Sequence, residues 1–207
     1  MIILYHSLPI VSGSIKVVRT SVTVSIVVAL RIIGFRGGLT MINQAIFVLA
    51  SVAAIGCGLV AGIFFAFSSF VMAALGRLPS DHGIAAMNSI NVTVINPVFF
   101  TAFFGTALLS LVLAVGSWLW WDQASGKLLL AAAVIYLVGS IAVTMVYNVP
   151  LNNALAAVQP GTAEATNLWS RYLRDWTMWN TVRTVASVVS MILFILALIG
   201  RQVSDQA

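Results

Sequence analysis

The sequence predicts an all-α integral membrane protein, a four-helix bundle with short interfacial helices. Three observations carry that expectation. Hydrophobic residues make up 61% of the 207 and charged residues 7%, against roughly 25% charged in a soluble domain. Mean hydropathy is +1.07. Between Arg36 and Arg77 there is no charged residue at all. A chain of this size with so little polar surface cannot cover its core in water, so the solvent it meets is lipid.

The first span is expected from about Ala45 to Leu75, long enough to cross a bilayer with tilt. Gly58, Gly62 and Ala66 form a small-residue row along it, which would let another helix approach closely. A polar break, Arg77 to Gly83, follows. Ser80 or Asp81 is expected to cap a short helix starting near Ile84, carrying Met87, Asn88, Ile90, Asn91 and Val94. Asn96-Pro97 then opens a second span to about Trp121, because proline costs nothing in a first helical turn. Trp118, Trp120 and Trp121 would sit at the membrane interface.

Asp122 to Lys127 reads as a turn, and a third span runs from about Leu128 to Tyr147, ending in Asn148-Val-Pro-Leu-Asn152. Pro160-Gly161 breaks the chain again. Residues Ala163 to Asp175 mix Glu164, Arg171, Arg174 and Asp175 with Trp169 and Tyr172, the pattern of an amphipathic helix lying on the membrane surface. The last span is expected from about Trp179 to Gly200. Residues 1–40 differ: Thr20 to Leu30 is apolar but too short to span and is flanked by Arg19 and Arg31. Met41 is read as the natural start and 1–40 as an upstream extension, leaving 41–207 as the four-span domain.

Composition also excludes functions. The formal net charge is +5, but ten basic residues scattered over the chain make no nucleic-acid-binding stripe. Cys57 is the single cysteine and His6 and His82 the only histidines, so disulfide and Cys- or His-rich metal sites are not expected. There is no phosphate-binding glycine loop, heptad run or transporter-type repeat. The absence of charge deep in the spans argues against an ion pathway.

Four spans bring the loops after the first and third to one side. Ser68, Ser69, Asn88, Asn91, Asn96, Asn148, Asn152, Asn180, Thr181 and Arg183 all fall near that side. Trp169, Tyr172, Trp176, Asn180 and Arg183 recur at steps of three or four, so one helix would show them as a stripe. Arg183 lies about 20 residues before Arg201, just inside the hydrophobic zone, where an arginine must snorkel, pair or serve a site. Taken singly, each asparagine is expected to cap a helix end. Taken together, the set is expected to form a polar pocket.

Several stretches resemble the anthrone-oxygenase-like family of small four-helix membrane proteins, mostly bacterial. They are Ala61–Met72, Gly83–Met87 through Ile90-Asn91, Asn96-Pro97, Asn148–Asn152 and Trp176–Asn180. The resemblance covers about residues 42–200 and omits the first forty. It implies an oxygenase of the kind that oxidises an anthrone to an anthraquinone with molecular oxygen, using neither metal nor flavin. It implies a location in a bacterial inner (plasma) membrane. The family pattern often has a histidine after the Trp-Asn pair, where this chain has Thr181. His82, Asp81 and Asp175 are the other candidates for a base.

On that reading Asn180 and Arg183 hold a developing oxyanion, Trp176 and Trp179 stack a flat aromatic, and Asn91, Asn96, Asn148 and Asn152 line the pocket. The partners are the lipid bilayer, a flat hydrophobic small molecule and oxygen, with no nucleic acid. The alternative is a non-catalytic membrane protein: a small carrier, binding or structural subunit. A ligand-sized cavity bounded by Asn148, Asn180 and Arg183 favours the first; a tightly packed bundle with those groups capping helix ends favours the second.

Overall fold

The computed structural model describes residues 38, 41–121 and 123–206; the expected extension, apart from Gly38, and Asp122 of the expected turn lie outside the described residues. No strand occurs among the described residues. The helices are α1 (Met41–Leu75), α2 (Ser80–Thr93), α3 (Pro97–Leu119), α4 (Ala124–Ala157) and α5 (Ala163–Gln206). Four of them, α1, α3, α4 and α5, are long enough to cross a bilayer, and their most apolar windows have mean hydropathies of 2.3 to 2.5. Large apolar side chains such as Leu108, Val115, Val138 and Ile199 point outward, which is tolerable in lipid and costly in water. The chain is an integral membrane protein.

All packing described below lies within Ile46–Ala207, one compact unit. On α1, Ala50, Ala53, Cys57, Val60 and Phe64 are buried at alternating steps of three and four, the seam spacing that keeps one helix face on its neighbours. They pack with Phe103 and Leu113 of α3, Leu129, Ala133 and Tyr136 of α4, and Phe194 of α5. A second cluster joins Met72 of α1, Ile84 and Met87 of α2, Leu155 of α4, and Trp169, Tyr172 and Trp176 of α5.

Three local expectations are corrected. Of the expected row on α1, Gly58 is approached by another helix, a Cβ there lying 3.1 Å from Met191 Sδ, but nothing lies within 4 Å of a Cβ at Gly62, and the tightest approach is at Gly56, where a Cβ would collide with Thr106. The helix that was expected to end at Tyr147 continues to Ala157. Two π segments, Leu137–Ala142 and Thr144–Asn148, precede Pro150. Such segments widen the backbone hydrogen-bond ladder ahead of a residue that cannot donate to it. The surface helix expected over Ala163–Asp175 is the beginning of α5, which runs unbroken for 44 residues. No proline and no glycine occurs between Ala163 and Ile199, so nothing in the backbone stops it. Thr162 caps its start, its hydroxyl accepting from the Ala165 amide at 3.1 Å.

The short helix α2 also starts earlier than expected. Pro79 stands at its N-cap with an extended ψ of 144°, and neither Ser80 nor Asp81 caps it. The Ser80 hydroxyl instead meets the Thr166 hydroxyl of α5 at 3.1 Å. Asn88 donates to the Leu155 carbonyl at 3.4 Å, so α2 is tied to both α4 and α5.

Candidate functional site

At the seam between the two core clusters lies a cavity of about 290 Å³, near the small end of ligand pockets, roughly 300–1,000 Å³. Phe64 and Phe103 from one cluster and Met87 and Trp176 from the other form part of its wall. Its polar lining is Asn91, Thr144, Asn148, Asn152 and Arg183. Among the described residues, Arg183 is the only one of the lining with an ionisable side chain.

The five stripe residues of α5 are all buried: Trp169, Tyr172, Trp176, Asn180 and Arg183. Their three aromatic rings run in sequence along the helix, Trp169 on Tyr172 at 5.7 Å and Tyr172 on Trp176 at 5.9 Å. Arg183, 5% exposed, ends the stripe. It does not snorkel. Its Nη2 donates to Asn180 Oδ1 at 2.7 Å and its Nη1 to the Thr144 hydroxyl at 3.1 Å. The guanidinium carbon lies 4.1 Å from the Phe64 ring centroid and 5.2 Å from that of Trp176, within cation–π range. Among the described residues no carboxylate lies within ion-pair distance of it. A buried cation held by neutral groups alone keeps its full charge available to a ligand.

Asn180 positions that cation. Its amide donates to the Phe64 carbonyl at 2.6 Å and to the Ser68 hydroxyl at 2.7 Å, leaving Oδ1 for Arg183. The π turn at Phe67–Val71 begins just beyond Phe64 and re-registers the α1 ladder there. Asn148, 1% exposed, donates to the Trp176 carbonyl at 3.2 Å. Asn152 Oδ1 accepts from the Tyr172 hydroxyl at 2.8 Å. Among the described residues, four buried polar atoms on cavity-lining side chains have no partner: Arg183 Nε, Trp176 Nε1, Asn91 Nδ2 and Asn148 Oδ1. Buried N–H groups left unpaired are costly, and three of these four are donors.

The expected site residues therefore separate. Asn91, Asn148, Asn152, Trp176 and Arg183 line the cavity, and Asn180 lies behind Arg183. Asn96 caps α3, accepting from the Phe99 amide at 3.0 Å while donating to the Thr93 carbonyl at 3.0 Å. Both functions of its amide are occupied in that turn. Trp179 lies outside the cavity, stacked on Tyr147 at 3.6 Å beside Asp175. At about 100° per helical residue it falls roughly 60° from Trp176, on the side away from Asn180.

None of the candidate bases lines the cavity. His82 is exposed and 3.7 Å from Asp81, and Asp175 accepts from Arg174 Nε at 2.8 Å. Thr181 is exposed and bonds the Ser68 hydroxyl at 3.0 Å. Among the described residues no three His, Cys, Asp or Glu side chains gather as a metal site. Thr144 and Phe64 were missed as site residues, having been read as parts of apolar runs. Thr144 stands four residues before Asn148 and so shares its helix face, a signal that was present in the spacing.

No curated protein and no solved structure matches the chain. The family model for anthrone oxygenase does match, over residues 98–193, which include Thr144, Asn148, Trp176, Asn180 and Arg183, and over that stretch the chain is similar to the anthrone oxygenase family.

Proposed function

We propose that the cavity takes a flat, weakly acidic aromatic of the anthrone type, releasing the quinone, and that the chain oxidises its methylene carbon with molecular oxygen, without metal or flavin. The observation that carries this reading is Arg183, a buried cation with no carboxylate partner among the described residues, held over Phe64 and Trp176. An anthrone loses a proton from its methylene carbon to give an enolate. Arg183 stabilises the enolate oxygen, and Trp176 Nε1 is a second donor beside it. Among the described residues no cavity-lining side chain is a carboxylate or imidazole; water or hydroxide takes the proton, and the fixed cation makes the substrate acidic enough to lose it.

The electron-rich carbon then adds dioxygen, and the peroxide takes up a proton. Loss of water from the resulting hydroperoxide leaves the new carbonyl. The balance is anthrone plus O₂ to anthraquinone plus water. The aromatic walls would hold the ring system flat while the cation fixes which oxygen carries charge. The proposed setting is a bacterial plasma membrane with the pocket end cytoplasmic. Counted from Met41, Arg77, Arg171 and Arg174 near that end, against Lys127 and Arg201 near the other, favour this orientation; with residues 1–40 included, Lys16, Arg19, Arg31 and Arg36 join the other end and reverse the count.

The test is anthrone-dependent oxygen uptake by the purified protein, with heat-inactivated protein setting the background. Arg183→Ala is expected to lower kcat/KM by about 100-fold or more, the usual effect of losing an oxyanion donor. Arg183→Lys should recover part of it, since a point charge remains without the forked donors. Uptake at background in the unaltered protein, with the quinone still bound, would instead favour a non-catalytic carrier.

A further inference from the structure

We infer that the cavity opens sideways to the bilayer between α1, α3 and α4, so that its substrate is a lipid-dissolved aromatic that never passes through water on its way in. This rests on the cavity being a ligand site, as proposed above, and adds how it is reached. The argument is the distribution of exposure around the lining. Every lining residue that is exposed is apolar: Ile63, Ile95, Phe100, Phe104 and Met145. Every polar lining residue, from Asn91 to Arg183, is buried or half-buried.

A mouth facing water shows the reverse order, with polar groups at the rim and apolar ones within. Here the rim residues belong to membrane-spanning helices or, for Ile95, to the turn that leads into one. Ile63 is on α1, Phe100 and Phe104 are on α3, and Met145 is on α4. Phe100 and Phe104 stand edge to face at 5.3 Å, one turn apart on the lipid side of α3. Met145 lies within a π segment and is 55% exposed. Its flexible side chain is the kind that yields to an entering ring. Behind this rim the polarity rises inward to Arg183. An anthrone-sized ring would enter edge first, with its oxygen leading to the cation.

Association rates decide the route, because equilibrium affinities do not depend on it. The protein is reconstituted in lipid vesicles and mixed with anthraquinones that carry ring alkyl chains of increasing length, each at the same mole fraction in lipid. Quenching of tryptophan fluorescence is followed, and the saturable component removed by Trp176→Phe reports the cavity. With entry from the bilayer, the association rate stays within about threefold across the series. With entry from water, it falls about fourfold for each added methylene, as the aqueous concentration falls; that result overturns the lateral route and leaves the proposed function standing. Met145→Trp is expected to slow association roughly tenfold by narrowing the mouth, while Phe104→Ala should not slow it. The absence of any saturable component would overturn the site and the route together. The series needs no turnover, so it remains decisive even if oxygen uptake is at background.

Discussion

In the half of the bundle around Cys57, Ala133 and Phe194, the buried polar groups are hydroxyls apart from Arg201, which lies beside Ser125 and Leu129, whereas around the cavity buried amides and the Arg183 guanidinium join the hydroxyls. Hydroxyls are short and largely satisfied close to home. Thr106 donates to the Ala102 carbonyl at 2.6 Å and Ser117 to that of Ala114 at 2.6 Å, while Tyr136 crosses to the Phe103 carbonyl at 3.0 Å. Ser110 and Ser190 leave a hydroxyl unpaired, a smaller cost than an unpaired charged donor. Such groups let helices close on one another. Asn148, Asn180 and Arg183 instead cross to α5, α1 and α4, and Arg183 also meets Asn180 on its own turn. The hollow of this bundle lies where those crossing groups gather.

The contrast can be broken most forcefully at Gly139, where a Cβ would lie 2.5 Å from that of Ala186. Gly139→Leu is expected to cost about 3 kcal/mol, whereas Ile90→Phe, which adds volume beside the cavity, should cost less than about 1 kcal/mol. Unfolding of the two variants in detergent measures both, and equal penalties would mean that the cavity end is packed as tightly as the other. Next in size is Asn180→Asp. It sets a carboxylate where Oδ1 now accepts from Arg183 at 2.7 Å, neutralising the cation without removing it. Enolate binding should weaken by at least roughly tenfold, and the unfolding midpoint should also fall, because the carboxylate loses the amide's donation to the Phe64 carbonyl; unchanged binding would separate ligand recognition from the charge. The smallest effect is expected at Ser187→Ala, whose hydroxyl meets Ser140 at 3.4 Å. That bond is long, and its loss should change stability by less than about 0.5 kcal/mol.

Much of the site's membership was legible in spacing. The stripe from Trp169 to Arg183 needs only the helical repeat, and on one helix its five residues do share a buried face. Asn148 and Asn152 are four apart and both line the cavity. Asn96 was grouped with them by membrane side, and Trp179 by the resemblance over Trp176–Asn180. Side along the membrane normal says nothing about direction around a helix axis, so one proved to cap α3 and the other to stack outside on Tyr147. The break at Asn148–Asn152 was overread for a similar reason. Proline removes one donor, but neighbouring π segments can absorb the defect and carry the helix on.

What the sequence determined by itself is the solvent and the number of spans. Both follow from quantities that sum along the chain, a low charge fraction and four apolar stretches separated by polar breaks. What only the tertiary structure decided is that the polar groups leave space between them and that Arg183 stays without a carboxylate there among the described residues. It also decided that the rim of that space is apolar. A cavity is a failure of surfaces on different helices to meet, and it depends on the rotation and separation of those helices, which no single segment carries.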